Sequence, residues 1–467
     1  MPERIIFNAF EMNCLAHMAH GLWAHPADNR RRYTELSYWT DLAELLERGR
    51  FDALFLADVL GVYDTYGGSR DPAVAGGVQV PANDPLLTVP AMAARTEHLG
   101  FAVSVSTSYE PPFGHARRLS TLDHLTRGRV GWNVVTSYLP GAARNFGHSR
   151  MTPHDERYDR ADEYLEVCYR LWEESWEDGA VLADRERQRY ADPAKVHAVD
   201  HAGTWFDVAG PHLCEPSPQR TPVLYQAGNS PRGREFAARH AECVFLSGVT
   251  PEGLRRDAED IRARAAAQGR DPRGIRLLTS LAVVVAGTGA EARHRYAELQ
   301  GWVDREGMLA QFCGTSGFDL HGRDRAAPLV PHRTDHGQGA AALFAEGRPD
   351  GPTVGETADN AAALGRTTLL AVGSPGEVAD RIEGWVEETG LDGFNLVPFL
   401  APGSFTDFVD LVVPELQRRG RYRTEYEPGT FREQLFGPGA ALLPADHPGG
   451  RIRAGGASAR TAGAAPG

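Results

Sequence analysis

Residues 129–136 read RVGWNVVT, residues 154–176 read HDERYDRADEYLEVCYRLWEESW, and residues 223–227 read VLYQA. The outer two are short β-branched and aromatic runs of the kind that form buried strands. In the middle segment Ala161, Tyr164, Leu165, Cys168, Leu171 and Trp172 recur at helical spacing, and Asp155 and Glu156 stand in the first turn, where the helix dipole favours carboxylates. Strand, helix, strand is the unit of a parallel sheet. Working outward, the same alternation predicts strands at 5–9, 53–57, 101–106, 243–247, 275–285 and 393–398, which makes eight. Eight strands with helical crossovers predict an α/β fold, a (β/α)8 TIM barrel with insertions, with a doubly wound open sheet as the competing arrangement.

The rest of the chain bounds the function. It has 467 residues and 49 Lys+Arg against 62 Asp+Glu, a net charge of -13, so it has no basic footprint for nucleic acid or an anionic membrane. No apolar run approaches the ~18 residues of a membrane span, and the amino terminus lacks the pattern of a signal peptide. Cysteines 14, 168, 214, 243 and 313 are widely spaced without a CxxC pair, which fits a reducing, cytoplasmic setting better than a disulfide framework. Residues 1–447 are expected to form a single barrel domain. Two stretches that break its rhythm, 177–222 and 306–360, read as insertions and candidate lids. Residues 448–467, rich in Ala and Gly, read as a disordered tail.

In a parallel barrel the reacting groups sit at the carboxyl ends of the strands, and here those ends are polar and neutral: Ser104 and Ser106, Asn133, Thr136 and Ser137, then QAGNSPRG at 226–233. Hydroxyls and amides suit recognition of a heterocycle better than hydrolysis, which needs paired carboxylates or an activated nucleophile. At 226–233 a tight turn at Gly228 and an N-cap at Ser230 prepare a helix start for a phosphate, with Arg232 as a cation. A plain αβ loop is the competing reading. The following Arg234 and Glu235 exclude a Walker A loop, no HExxH helix or His-x-His strand supports a metal, and no GxGxxG follows a strand. Any nicotinamide chemistry is therefore expected on another chain.

Beyond these patterns, long ordered runs resemble a known family. They include FNAFEMNC, YWTDLAELLERGRFDALFLADVLGVYD, RRLSTLDHLTRGRVGWNVVTSYLP, HDERYDRADEYLEVCYRLWEESWEDGAV, GPHLCEPSPQRTPVLYQAG and SPRGREFAARHAECVFL. The chain is similar over nearly its whole length to the two-component, flavin-dependent monooxygenases of the bacterial-luciferase-like superfamily. The branch is that of the nitrilotriacetate, dibenzothiophene-sulfone and long-chain alkane enzymes, and the alkane enzymes' pattern is nearest. The resemblance implies a TIM barrel, a homodimer or tetramer, and FMN delivered as FMNH2 by a separate NAD(P)H:flavin reductase. It also implies O2 and a small organic substrate, oxygenated through a flavin C4a-peroxide that must be kept dry.

Carried over by motif, Asp58, Ser104, Asn133 and Ser137 are expected around the isoalloxazine. His154, Tyr158, Gly228 and Ser230 are expected toward the ribityl chain and phosphate, with Gln226 and Ala227 as neighbours. Catalytic or substrate-side candidates are Cys14, His17, Tyr63 and Gln79, beside Phe10 and Met12, with His17 as proton donor or orienter. Cys14 as a small buried hydrophobe and His17 as a packing residue are the competing readings. Two positions depart from the alkane enzymes' pattern: Tyr138 and Gln311 stand where that pattern has histidines. Terminal hydroxylation of a long-chain alkane is the best substrate expectation, with an amine, sulfur or other heteroatom centre as the easier chemistry.

Overall fold

The computed structural model describes residues 4–330, 335–336 and 351–463, with side chains to residue 455. Its frame is a ring of parallel strands: β1 (Ile6–Met12), β2 (Ala53–Ala57), β3 (Gly100–Ser106), β4 (Val130–Val135), β5 (Val223–Gln226), β6 (Cys243–Leu246) and β7 (Arg276–Val285). The ring is completed by β9 (Gly393–Val397), which pairs with both β1 and β7, while β6 also pairs with β7. This is the closed barrel expected from the eight runs, and the open sheet is excluded. Helices cover the outer face, so both faces of the strands are buried and every barrel strand reads as a nearly continuous apolar run.

A further strand went unread. β8 (Leu369–Gly373) pairs in parallel with the upper half of β7, Leu281↔Leu369 to Val285↔Gly373. β6 leaves that edge of β7 at Leu246↔Thr279, and β8 takes it over above that level. The ring therefore splays at its upper rim, between β6 and β7.

The barrel interior is divided by height. Its lower part is apolar, packed with Ile6, Phe55, Ala102, Tyr225 and Leu278, and is plugged from below by Phe431 and Leu435 of the short helix Phe431–Phe436. Arg432 holds that plug: it is buried, donates to both oxygens of Glu242 at 2.7 and 3.0 Å, and reaches the Thr221 carbonyl at 2.8 Å. Higher up the lining turns polar, beginning with the Asn8–Asn395 amide pair at 2.9 Å.

The segment 154–176 forms the helix His154–Tyr169, continued by a wider turn over Arg170–Glu174. The first insertion, 177–222, is built from two small hairpins, Val181–Asp184 with Arg189–Ala191 and His201–Ala202 with Asp207–Val208. Glu163 on the helix accepts from the amides of Thr204, Trp205 and Phe206, which pins the second hairpin to the outside of the barrel. Described residues of the second insertion include the helix Arg305–Ser316, which the sequence pattern did not reveal; residues 331–334 and 337–350 of that insertion lie outside the described residues.

The carboxyl-terminal stretch corrects a second expectation. Pro448–Gly463 is helical. A Cβ on Gly449 would lie 2.7 Å from Leu443 and 3.0 Å from Tyr169, and one on Gly450 would lie 2.0 Å from the Pro444 carbonyl. The small residues that suggested disorder are what let this helix lie close to its support. Arg453 then reaches buried Glu173 at 2.5 Å, and His447 bonds to the His240 carbonyl at 2.8 Å.

Candidate active site

The upper end of the barrel opens into a cavity of about 450 Å³ at the carboxyl ends of the strands. All ten residues carried over as flavin contacts line it: Asp58, Ser104, Asn133, Ser137, His154, Tyr158, Gln226, Ala227, Gly228 and Ser230. Register explains part of this convergence. Ser104 and Asn133 are opposed on β3 and β4, and Asn133 Nδ2 donates to Ser104 Oγ at 2.7 Å. Asn133 Oδ1 and Gln226 Oε1 are buried without a partner, two acceptors held for a donor that enters the cavity. Ser137 hydrogen-bonds Ser106 at 2.8 Å and sits at φ 58°, an uncommon conformation for a residue with a side chain and one that clusters at functional sites.

Beyond β5 the chain makes a cradle. Ser230 caps the helix Pro231–His240 by accepting from the Gly233 amide at 3.0 Å. A Cβ on Gly228 would meet Gln226 Nε2 at 2.3 Å, Tyr158 Oη at 2.5 Å and Gly233 Cα at 3.0 Å. Two polar donors, Gln226 Nε2 and Tyr158 Oη, and a helix start thus surround a spot that only a glycine leaves open, which is the arrangement an anion needs. Asn229 steadies the loop, donating to Ser247 Oγ at 2.9 Å and accepting from the Ser247 amide at 3.2 Å.

The cation expected at this cradle is misassigned. Arg232 is committed to Asp159 at 2.9 Å and Asp162 at 2.5 Å and does not line the cavity. Arg157, four residues after Pro153 on the opening turn of its helix, does line it. Arg157 is 3% exposed, gives its terminal nitrogens to the Thr152 and Asp335 carbonyls, and leaves Nε buried without a partner. An i, i+1 neighbour of Tyr158 looks like a surface residue in a helical pattern, so the sequence carried no signal for it.

Of the substrate-side candidates, His17, Tyr63, Gln79 and Phe10 line the cavity, whereas Cys14 and Met12 do not. Cys14 is buried outside the wall: its backbone bridges Ala82 and its thiol donates to the Ala16 carbonyl at 3.3 Å. Burial, with Glu11 nearby, pushes that thiol far up, so it stays protonated and is no nucleophile. His17 stands edge-on to Phe10, ring centres 4.4 Å apart. Burial, helped by His20 and Arg30, pushes its ring down to about 3, which favours the neutral imidazole. Burial pushes the Asp58 carboxyl up to about 7, Asp84 and Glu110 adding to the effect while the Val59 amide opposes it. Gln79 sits at φ 52°, a second backbone position in the left-handed region.

The helix Arg305–Ser316 supplies Met308, Gln311, Phe312 and Thr315 to the opposite wall, and Tyr138 closes the side next to Leu139. This helix is buried on nearly every face, so it shows no amphipathic stripe for a sequence reading to find. The first insertion contributes no described residue to the cavity, which leaves the second as the part that covers it. Among the described residues no group of three or more His, Cys, Asp or Glu is placed to hold a metal ion, and no helix is long and apolar enough to cross a membrane.

Comparison with known proteins agrees with this geometry. Residues 17–393 match the family model described as luciferase-like monooxygenase. The chain is 54% identical to the long-chain alkane monooxygenase of Geobacillus thermodenitrificans (strain NG80-2) over 454 residues, 97% of this chain and 99% of that one. A crystal structure of a long-chain alkane monooxygenase superposes with a TM-score of 0.91 at 54% identity, over 97% of this chain and 100% of that one. A riboflavin lyase crystallised with modified FMN and riboflavin superposes equally well, TM-score 0.91 at 39% identity, over 96% of this chain and 99% of that one. With its barrel, its polar strand ends and its anion cradle, the chain belongs to the family of luciferase-like monooxygenases, enzymes that oxygenate with flavin.

Proposed function

We propose that the protein is the oxygenating component of a two-component system: it takes FMNH2 from a separate NAD(P)H:flavin reductase, uses O2, and hydroxylates the terminal carbon of a long-chain alkane. The overall balance is R–H, O2 and FMNH2 giving R–OH, water and FMN. The observation that carries the reading is the cradle of Gly228, Ser230, Tyr158 and Gln226, set beside neutral amides with unfilled acceptors. That donor set fits FMN: Asn133 and Gln226 can accept from the ring, and the cradle with Arg157 can hold the phosphate.

When bound, reduced FMN supplies the two electrons that activate O2. The chain's own residues do the rest. Phe10, Phe55, Met308 and Phe312 keep the site apolar and exclude water from it. His17 offers a neutral ring that can orient a hydrogen-bonded oxygen without delivering bulk acid, and Asp58 can hold a proton near neutral pH. The unpaired cysteines suit a reducing cytoplasm, and a homodimer or tetramer is the expected assembly, which light scattering on the eluted protein tests.

A second reading, the same chemistry on an amine or sulfur centre, is favoured by the polar line of Tyr63, Tyr138 and Thr315 on the substrate side. The test is to mix protein, FMNH2, O2 and hexadecane and to quantify alcohol against hydrogen peroxide. Alcohol formation that falls in Ser230→Ala and Tyr158→Phe in parallel with weaker FMN binding supports the reading. Stoichiometric peroxide regardless of substrate, or FMN affinity unchanged in both variants, overturns it.

A further inference from the structure

The substrate side of the cavity holds a line of hydrogen bonds in which every proton has only one possible direction. The line is anchored on the carbonyl oxygen of His17, which can only accept. Gln79 Nε2 donates to it at 2.8 Å and Gln311 Nε2 at 3.1 Å; turning either amide over would set two oxygens against each other. With its nitrogen committed, Gln79 presents Oε1 to the Tyr63 hydroxyl at 2.9 Å, so Tyr63 donates. The Tyr138 hydroxyl lies 2.8 Å from Tyr63, whose proton is already given, so Tyr138 donates as well. Thr315 lies beside both tyrosine hydroxyls and eases the upward push that burial gives them. Beyond the anchor, His20 gives its Nε2 proton to Gln311 Oε1 at 2.9 Å.

The two tyrosine hydroxyls therefore spend their protons inside the line, Tyr63 on Gln79 and Tyr138 on Tyr63. Burial pushes both tyrosines up, so the protons stay on oxygen. What Tyr138, in the cavity wall, can still offer a ligand is lone pairs.

We infer that Tyr138, backed by Tyr63, forms an acceptor-only subsite that selects an organic ligand bearing a neutral hydrogen-bond donor, an alcohol O–H or an amide N–H. The inference rests on the reading of this cavity as the oxygenation site. An ammonium fits less well, because Asp58 is the one carboxylate among the described lining residues and burial favours its neutral form. An ether or a bare alkyl chain leaves the lone pairs unanswered in a dry pocket.

The test uses two isomers of equal size, octan-1-ol and heptyl methyl ether, titrated into the FMN-loaded protein by flavin absorbance and into the flavin-free protein by calorimetry. The alcohol is expected to bind about tenfold tighter than the ether, the worth of one hydrogen bond plus an avoided unsatisfied acceptor. Gln79→Met frees the Tyr63 proton, lets Tyr138 turn its own outward, and is expected to bring the ratio to about one or invert it. Thr315→Val leaves the line from Tyr138 through Tyr63 and Gln79 to the His17 carbonyl intact and is expected to keep the preference, so a preference lost there overturns the inference even if the Gln79 variant fails to fold. Equal binding of the two isomers by the wild type, or a ratio unmoved in Gln79→Met, overturns the inference. Loss of FMN binding in the same titrations would instead count against the flavin reading. Octanol that is itself oxygenated marks the subsite as one for substrate; octanol that only competes with hexadecane marks it as one for the alcohol product. Both outcomes keep the acceptor subsite.

Discussion

Gly228→Ala should remove flavin binding from an otherwise folded protein. The new methyl would sit 2.3 Å from Gln226 Nε2 and 2.5 Å from Tyr158 Oη, about 1 Å inside ordinary contact. It cannot back away, because Gly233 Cα is 3.0 Å off and belongs to the helix that Ser230 caps. Tyr158 has little room either, with the His154 ring 5.3 Å away and the Phe236 ring 5.4 Å away. The backbone at 228 is outside the positive-φ region, so alanine itself is unstrained there and the effect is steric. Displacing both side chains forfeits two hydrogen bonds to a charged phosphate, at about 1.5–3 kcal/mol each, or ~10²- to 10⁴-fold in Kd. Overpacking costs about 1–3 kcal/mol of stability, which circular dichroism would read as a modest fall in Tm. FMN affinity is measured by quenching of flavin fluorescence, with riboflavin, which lacks the phosphate, as the control. An affinity for FMN within threefold of wild type would refute the cradle.

Other perturbations separate neighbouring roles. Arg157→Gln should weaken FMN by about tenfold or more and riboflavin little, while Arg232→Gln, whose charge is already matched by Asp159 and Asp162, should leave FMN affinity nearly unchanged; fluorescence titration of both decides. Glu11 is buried with Oε1 unpartnered, and desolvation pushes it up to about 7 against an ordinary 4.5, with Arg30 opposing. The folded chain therefore holds this proton more tightly than the unfolded chain, and stability falls as pH rises from about 4.5 to about 7. Glu11→Gln should thus gain on wild type through that window, by at most about 3 kcal/mol, and level off above it; a difference in Tm that is flat with pH would contradict this. Phe431→Ala unplugs the barrel floor and should cost about 3–5 kcal/mol in urea unfolding, with loss of Tm but no change in FMN affinity per folded molecule.

Most of the frame was legible because strand runs and turn residues are local. Cys243–Leu246 and Gly393–Val397 are buried on both faces, and such runs announce themselves without neighbours. β8 was missed because LLAVG is half-buried at alternate positions, a weak version of the same signal. Ser230 was readable since an N-cap is a property of the chain at that point, whereas Gly228, expected for a tight turn, is needed for the space it leaves beside Gln226 and Tyr158.

Chain order and periodicity by themselves determined a parallel α/β fold, the polar character of its strand ends, the helix start that suits a phosphate and the absence of a dinucleotide motif. Closure into a barrel and not an open sheet was decided by the tertiary structure. Folding decided which way each side chain outside the regular elements turns. Cys14 and His17 sit three residues apart in an irregular loop, where no period of two or 3.6 applies, so one turned into packing and the other into the cavity. Arg157 stands at the cavity in place of Arg232, the expected cation, because charge is assigned by which carboxylates come near, and Asp159 and Asp162 hold Arg232 away. The direction of the protons from Tyr138 to His17 depends on pairs 75, 16 and 62 residues apart along the chain. Hydrogen bonds of that range follow from the closing of the barrel, and local sequence holds no record of them.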